Sequence, residues 1–301
     1  MNGNMPNPDR RVVKASHASP SIRCGALEAT FQPEVGGRMI SLRDDRYGDL
    51  VIPLNVPSFA FEDWPKAGAF PLFPFHNRLR NASFRLNDRE VRVRPNAPDG
   101  KDALHGPAHR QPWNVTASGR TFLQMALDYR ADGDWPFDFQ AVQRYTLHRG
   151  ELQVRLDLIN SSETVMPGGI GWHPYFPVPL DGTIAIRAEN QWTYLPQARH
   201  PEKHSLADRR DSPAIPRNIP NHFSGWTKAE ATLSSGARIT LSADSNLSCF
   251  VVLRKLEYTC LEPVSHVAGA LSTLPDLWPE TGLRLMDPGS RLSGRIRLAV
   301  R

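Results

Sequence analysis

Apolar and polar residues alternate along much of this chain, and the period is two. In Ala26–Phe31 the side chains of Leu27, Ala29 and Phe31 fall on one side and Glu28 and Thr30 on the other. A strand with one face buried has this pattern. The same reading places strands at Arg38–Leu42, Leu50–Ile52, Ser83–Leu86, Glu90–Val93, Trp113–Ala117 and Thr121–Arg130. It continues through Phe139–His148, Glu151–Asn160, Met166–Gly171, Ala231–Leu233, Ala237–Ser242, Ser248–Leu253 and Arg291–Val300. Asn87-Asp88-Arg89 predicts a hairpin turn between two of these strands. Apolar positions at i, i+3, i+4 and i+7 between good caps are nearly absent, so long helices are not expected. Many short strands separated by turn signals predict an all-β sandwich or barrel.

Composition sharpens this picture. The 27 prolines and 21 glycines are spread along the 301 residues, as frequent turns require. Residues 1–20 are polar, carry Pro6, Pro8 and Pro20, and read as a flexible arm. No later shift marks a boundary, so 21–301 is expected to be one large domain, able to bury roughly three quarters of its surface. Cys24, Cys249 and Cys260 form neither a disulfide framework nor a metal-binding spacing. No apolar run approaches the ~18 residues of a membrane helix, and the first residues lack the apolar core of a signal peptide. A cytoplasmic protein that does not touch the membrane is the expectation. The net charge of +5 raises the question of nucleic acid. That charge is dispersed and mostly arginine, without a basic tail or recognition motif, so no nucleic-acid partner is expected. Neither Gly36-Gly37 nor Gly168-Gly169 fits a nucleotide-binding loop.

Four short clusters could carry chemistry. They are Asn77-Arg78 after Phe73-Pro74-Phe75-His76, Leu104-His105-Gly106, Trp172-His173-Pro174-Tyr175-Phe176, and Glu262-Pro263. Taken singly, each is ordinary: a structural histidine, a hairpin contact, a turn. Together they supply what a sugar site requires. Arginine offers a planar fork for vicinal hydroxyls. Histidine titrates near neutrality, and glutamate is a carboxylate base. Tryptophan and tyrosine provide flat apolar walls with a polar tip.

In order and wording these clusters resemble the aldose 1-epimerases, or galactose mutarotases. The resemblance runs over roughly residues 22–300 and includes Trp113 and the Asp287-Pro288-Gly289 turn. It implies the galactose mutarotase-like supersandwich, a large antiparallel β-sandwich. It implies interconversion of the α and β anomers of a free aldohexose, without a cofactor or a metal. It assigns Glu262 as base and His173 as acid, with His105 and Arg78 holding the sugar. Asn77, Tyr175, Trp172 and Asn221 complete the expected site. The His173 and Glu262 charges should favour each other, raising the histidine pKa and lowering that of the carboxylate. A small-molecule sugar is the expected partner, and the chain is expected to act as a monomer or homodimer.

One departure concerns substrate. The family usually carries an Asp in an Asp-x-x-Phe element, where this chain has Pro220-Asn221-His222-Phe223. Asn221 or His222 is the expected stand-in. Two alternatives stay open: a 1-epimerase for a hexose 6-phosphate or another acidic sugar, with Arg80, Arg85 and Arg110 at the rim, and a non-catalytic sugar-binding protein of the same fold.

Overall fold

The computed structural model of the protein describes residues 12–14, 19–55, 58–60, 65–194, 201–206, 213 and 215–301. The alternating segments become two large antiparallel sheets. The first has eight strands, ordered Asn114–Gly119, Phe122–Tyr129, Phe139–His148, Glu151–Asn160, Arg291–Val300, Arg238–Ala243, Lys228–Thr232 and Ile184–Arg187. The second has eleven. Its spine runs Ser21–Cys24, Leu27–Gln32, Arg38–Asp44, Ala69–Leu72, Gly171–Phe176, Thr259–Val264, Cys249–Arg254, Pro220–Ser224, Asn190–Thr193 and Glu202–Ser205. Gly48–Asp49 pairs with Arg38–Asp44 off this spine.

One cluster of buried side chains lies between the sheets. It draws Leu152, Val154 and Leu156 from the first and Phe31, Trp172, Phe250 and Leu261 from the second. Each sheet therefore turns one face inward. In Phe139–His148, buried and half-buried positions alternate without a break up to the exposed His148, because the other face meets water. Gly171–Phe176 and Thr259–Val264 are buried at every position. Their second face is covered by the segments carrying Lys66, Asn77-Arg78 and Leu104–Arg110.

The hairpin reading holds. Arg89–Arg92 pairs with Ser83–Leu86, and Asn87 and Asp88 both take the positive φ of such a tight turn. The expected strand at Leu50–Ile52 is not one; the strand there is Gly48–Asp49. Of the expected arm, residues 1–11 and 15–18 lie outside the described residues, while Val12–Lys14 pairs with Ser58–Ala60. Among the described residues, no helix is long and apolar enough to cross a membrane.

Candidate active site

The site grows out of the sheet register. Gly171 pairs with Val264 and Tyr175 with Cys260, which sets His173 opposite Glu262. His173 pairs on its other side with Phe70, and Glu262 with Val251. Val251 in turn faces His222. One row of side chains thus crosses five strands on the face turned away from the core. Within it, His173 Nε2 lies 3.4 Å from Glu262 Oε1. The His173 ring stacks on Phe70, with centroids 4.6 Å apart.

A second structure closes over this row. Arg78–Leu79 pairs with Ala103–Leu104, bringing Asn77 beside His105. The two residues lock each other: the His105 N–H donates to the Asn77 carbonyl, and the Asn77 N–H donates to His105 Nδ1 at 3.0 Å. Both sit at positive φ. With Nδ1 accepting, the His105 proton rests on Nε2, which becomes a donor toward the cavity. Gly106 is demanded by the close approach of the chain, since a Cβ there would lie 1.9 Å from the Phe73 carbonyl oxygen. The His105 ring meets His173 edge-on at 5.4 Å.

These parts enclose a cavity of about 240 Å³, lined among others by Asn77, Arg78, His105, His173, Tyr175 and Glu262. That lies below the ~300 Å³ at which drug-sized pockets begin, and it suits a single small ring. Arg78 is held at its rim by Asp99 and by Asp102 at 3.0 Å. Asn77 Oδ1 accepts from the Arg78 N–H, so Asn77 orients the arginine backbone.

Burial dominates the electrostatics. It pushes the Glu262 carboxyl up to about 8 and holds His173 and His105 well below the usual histidine range. Lys66, Arg38 and His109 push His173 further the same way. The expectation that the two charges would raise His173 and lower Glu262 is therefore overturned. At 3.4 Å their attraction does not repay the loss of water around two ions. The resting pair is neutral near pH 7, with its single proton on the carboxyl.

Two expected residues lie elsewhere. Trp172 points to the opposite face from His173 and is fully buried in the core between the sheets. Side chains alternate along a strand, so neighbours of His173 cannot share its face. Asn221 likewise faces away, its amide donating to the Pro216 and Ile219 carbonyls at 3.0 Å each. His222 is on the cavity face but packs edge-on against Tyr194 and does not line the cavity. His76 and His266 are a buried pair, with His76 Nε2 2.6 Å from the His266 carbonyl oxygen. His109 stacks behind Phe70.

The cavity is also lined by Leu104 and Pro220, from two of the short motifs, and by residues that sequence reasoning did not assign to a site: Lys66, Val251, Leu253, Tyr258 and Cys260. Cys260 was within reach, since it lies two residues before Glu262 and a strand there puts both on one face. Donor atoms of His173, Cys260 and Glu262 lie within 4.8 Å of one another, close enough to hold a metal ion. Lys66 sits in a Pro-rich, aperiodic stretch that gave no signal.

Two large antiparallel sheets packed on one core, with His173 and Glu262 buried in a covered cavity on one of them, define a galactose mutarotase-like fold. The chain belongs to the aldose 1-epimerase family, whose model matches residues 22–298. It is 26% identical over 254 residues to the uncharacterized protein YphB of Escherichia coli, covering 78% of this chain and 84% of YphB. Its fold is similar to that of a galactose mutarotase-like protein from Clostridium acetobutylicum. That structure has a TM-score of 0.80 at 19% identity, covering 98% of this chain and 99% of the other. It is also similar to the GalM/aldose epimerase homologue from C. elegans. There the TM-score is 0.76 at 16% identity, covering 94% and 99%.

Proposed function

We propose that the protein is a mutarotase, interconverting the α and β anomers of a free aldose by opening and closing the ring. The observation that carries this reading is the His173–Glu262 pair, buried face to face at 3.4 Å in a cavity that fits one sugar ring. The reaction requires a base at the C1 hydroxyl and an acid at the ring oxygen. One proton on the pair serves both. In the resting site burial keeps that proton on Glu262. Sugar hydroxyls that hydrogen-bond the carboxylate draw out the ionic tautomer, with the proton on His173. Glu262 then accepts the C1 hydroxyl proton while His173 donates to the ring oxygen. The C1–O5 bond breaks, leaving the open aldehyde. Rotation about C1–C2 presents the other carbonyl face, and the reverse transfers close the ring. His105 Nε2–H donates to the sugar near the ring oxygen, and Arg78 and Tyr175 bind ring hydroxyls and the ring face.

The test is polarimetry on freshly dissolved anomers. Glu262→Gln and His173→Asn should each slow interconversion by ~10²–10⁴-fold. Near-wild-type rates in both variants would remove the pair from the mechanism. Sugar binding without any acceleration by the wild type would favour a binding protein instead.

A further inference from the structure

Arg78 is tethered through one nitrogen. Asp102 Oδ2 and Asp99 Oδ2 both accept from Nη1, the first at 3.0 Å. That nitrogen carries two hydrogens, so the two carboxylates occupy both. Among the described residues, the Nε and Nη2 hydrogens of Arg78 meet no acceptor. They form the open edge of the guanidinium fork, and Arg78 lines the cavity. Neither Asp99 nor Asp102 lines it.

The two carboxylates stand on a loop that holds itself. Residues 93–102 join the hairpin strand Arg89–Arg92 to Ala103–Leu104. Asn96 clasps the end of the loop: its amide oxygen accepts from the Leu104 N–H at 2.5 Å, and its amide nitrogen donates to the Leu104 carbonyl at 3.1 Å. The Asp102 carbonyl accepts from the Asn96 and Ala97 N–H groups at 3.1 and 3.0 Å. Asp99 Oδ1 accepts from the Lys101 and Asp102 N–H groups at 2.9 Å each. Asp102 Oδ1 accepts from the N–H of Asn81, a residue at positive φ, at 2.9 Å. Each carboxylate thus has one oxygen fixed to backbone and the other aimed at Arg78. The Asp102 side chain is 18% exposed and that of Asp99 39%, so water competes less for Asp102.

A loose arginine must be ordered when its ligand arrives, and that ordering weakens binding. Here the ordering precedes the ligand. Resting on the mutarotase reading, we propose that Asp102, assisted by Asp99, is a positioning residue for the sugar. It holds Arg78 by Nη1 and presents the Nε–Nη2 edge as a ready fork for two adjacent ring hydroxyls. Asp102 touches no reacting atom. It acts on affinity and leaves the proton transfers of His173 and Glu262 alone.

The experiment uses the full chain. Anomer interconversion of glucose and galactose is followed by polarimetry, and binding of both sugars by calorimetry. The cycle comprises wild type, Asp102→Ala, Arg78→Met and the double variant. Asp102→Ala should raise KM about tenfold, the worth of one hydrogen bond to a charged group, with kcat within about twofold. Asp99→Ala should raise KM less. In the Arg78→Met background, Asp102→Ala should change KM by less than about twofold, because the group it positions is gone. Asp102→Asn keeps an acceptor for the Asn81 N–H and loses the charge on Arg78, so it should share the rise in KM. A wild-type KM in Asp102→Ala and Asp102→Asn would overturn the inference and leave the mutarotase reading standing. Equal effects with and without Arg78, or a fall in kcat at constant KM, would also overturn it, because Asp102 would then act through the fold. Weaker sugar binding in Asp102→Ala that vanishes in the Arg78→Met background, with no acceleration of either sugar by wild type, would support the inference and overturn the mutarotase reading.

Discussion

The two sheets use their outward faces in opposite ways. On the eight-stranded sheet, Arg144, Arg155 and Arg295 stand opposite one another across three strands. Each finds local relief: Arg144 lies over the Phe122 ring at 4.0 Å, Arg155 pairs with Asp157 at 3.0 Å, and Arg295 reaches into water. Solvent screens the repulsion, and the row costs little. On the eleven-stranded sheet the corresponding row is Phe70, His173, Glu262, Val251 and His222, and it is buried. There the polar groups lose their water, which pushes the Glu262 carboxyl up to about 8 and holds His173 and His222 below the usual histidine range. Exposure thus makes three like charges tolerable on one sheet, and burial makes one opposite pair neutral on the other.

The largest expected contrast is in rate. Glu262→Gln or His173→Asn should reduce interconversion by ~10²–10⁴-fold, while Arg155→Gln on the outer row should leave it unchanged. A rate loss in Arg155→Gln would break the contrast. Next comes Trp172→Ala, which removes a fully buried side chain from between the sheets. A loss of ~3–5 kcal/mol is expected from denaturant unfolding. A stable Trp172→Ala protein with weakened sugar binding would return Trp172 to the site.

Glu262→Gln should also stabilise the protein, by an amount that depends on pH. The folded Glu262 pKa is raised to about 8 from 4.5. Its contribution is therefore fully present below pH 4.5 and lost as pH rises through 8. The glutamine has no such loss, so thermal unfolding should show the variant ahead by on the order of 5 kcal/mol at the alkaline end and level with wild type in acid. Equal midpoints at all pH values would mean that burial does not govern this carboxyl. The smallest effect belongs to the outer row. Arg295→Thr removes one like charge and should stabilise by up to ~0.5 kcal/mol at low salt, an advantage that disappears as salt is added.

The same contrast explains what could be read from the chain. Phe139–His148, Glu151–Asn160 and Arg291–Val300 coincide with their expected strands, because one face of each meets water and the alternation survives. Ala69–Leu72, Pro220–Ser224 and Thr259–Val264 were not anticipated as strands. Each carries a proline and a run of at least three consecutive buried residues, so it shows no period of two. His173, Glu262, His105 and Arg78 were legible through short motifs that do not depend on periodicity. Trp172 was misplaced because adjacency to His173 in sequence was read as adjacency in the site, which a strand forbids, and Asn221 because it was taken as the stand-in for the family's Asp while its amide is bonded to the Pro216 and Ile219 carbonyls. Lys66 was missed because its segment has no pattern, and the protonation of the pair because burial cannot be read from spacing.

The account's central claim is that one proton, kept on a buried His173–Glu262 pair, drives ring opening. The pH dependence of kcat/KM for anomer interconversion tests it most directly. Lys66, Cys260, Tyr258, His105 and Arg38 surround the pair, and of these Lys66 also titrates near 8, so the profile is measured in wild type and in Lys66→Met. The predicted result is a bell in both, falling on the alkaline side near pH 8 as Glu262 gives up the shared proton. On the acid side it falls well below pH 6.5, as His173 takes a second. A rate that climbs with an acid-limb pKa near 4.5 and stays level through pH 8 would contradict it, because Glu262 would then be an ordinary ionised base.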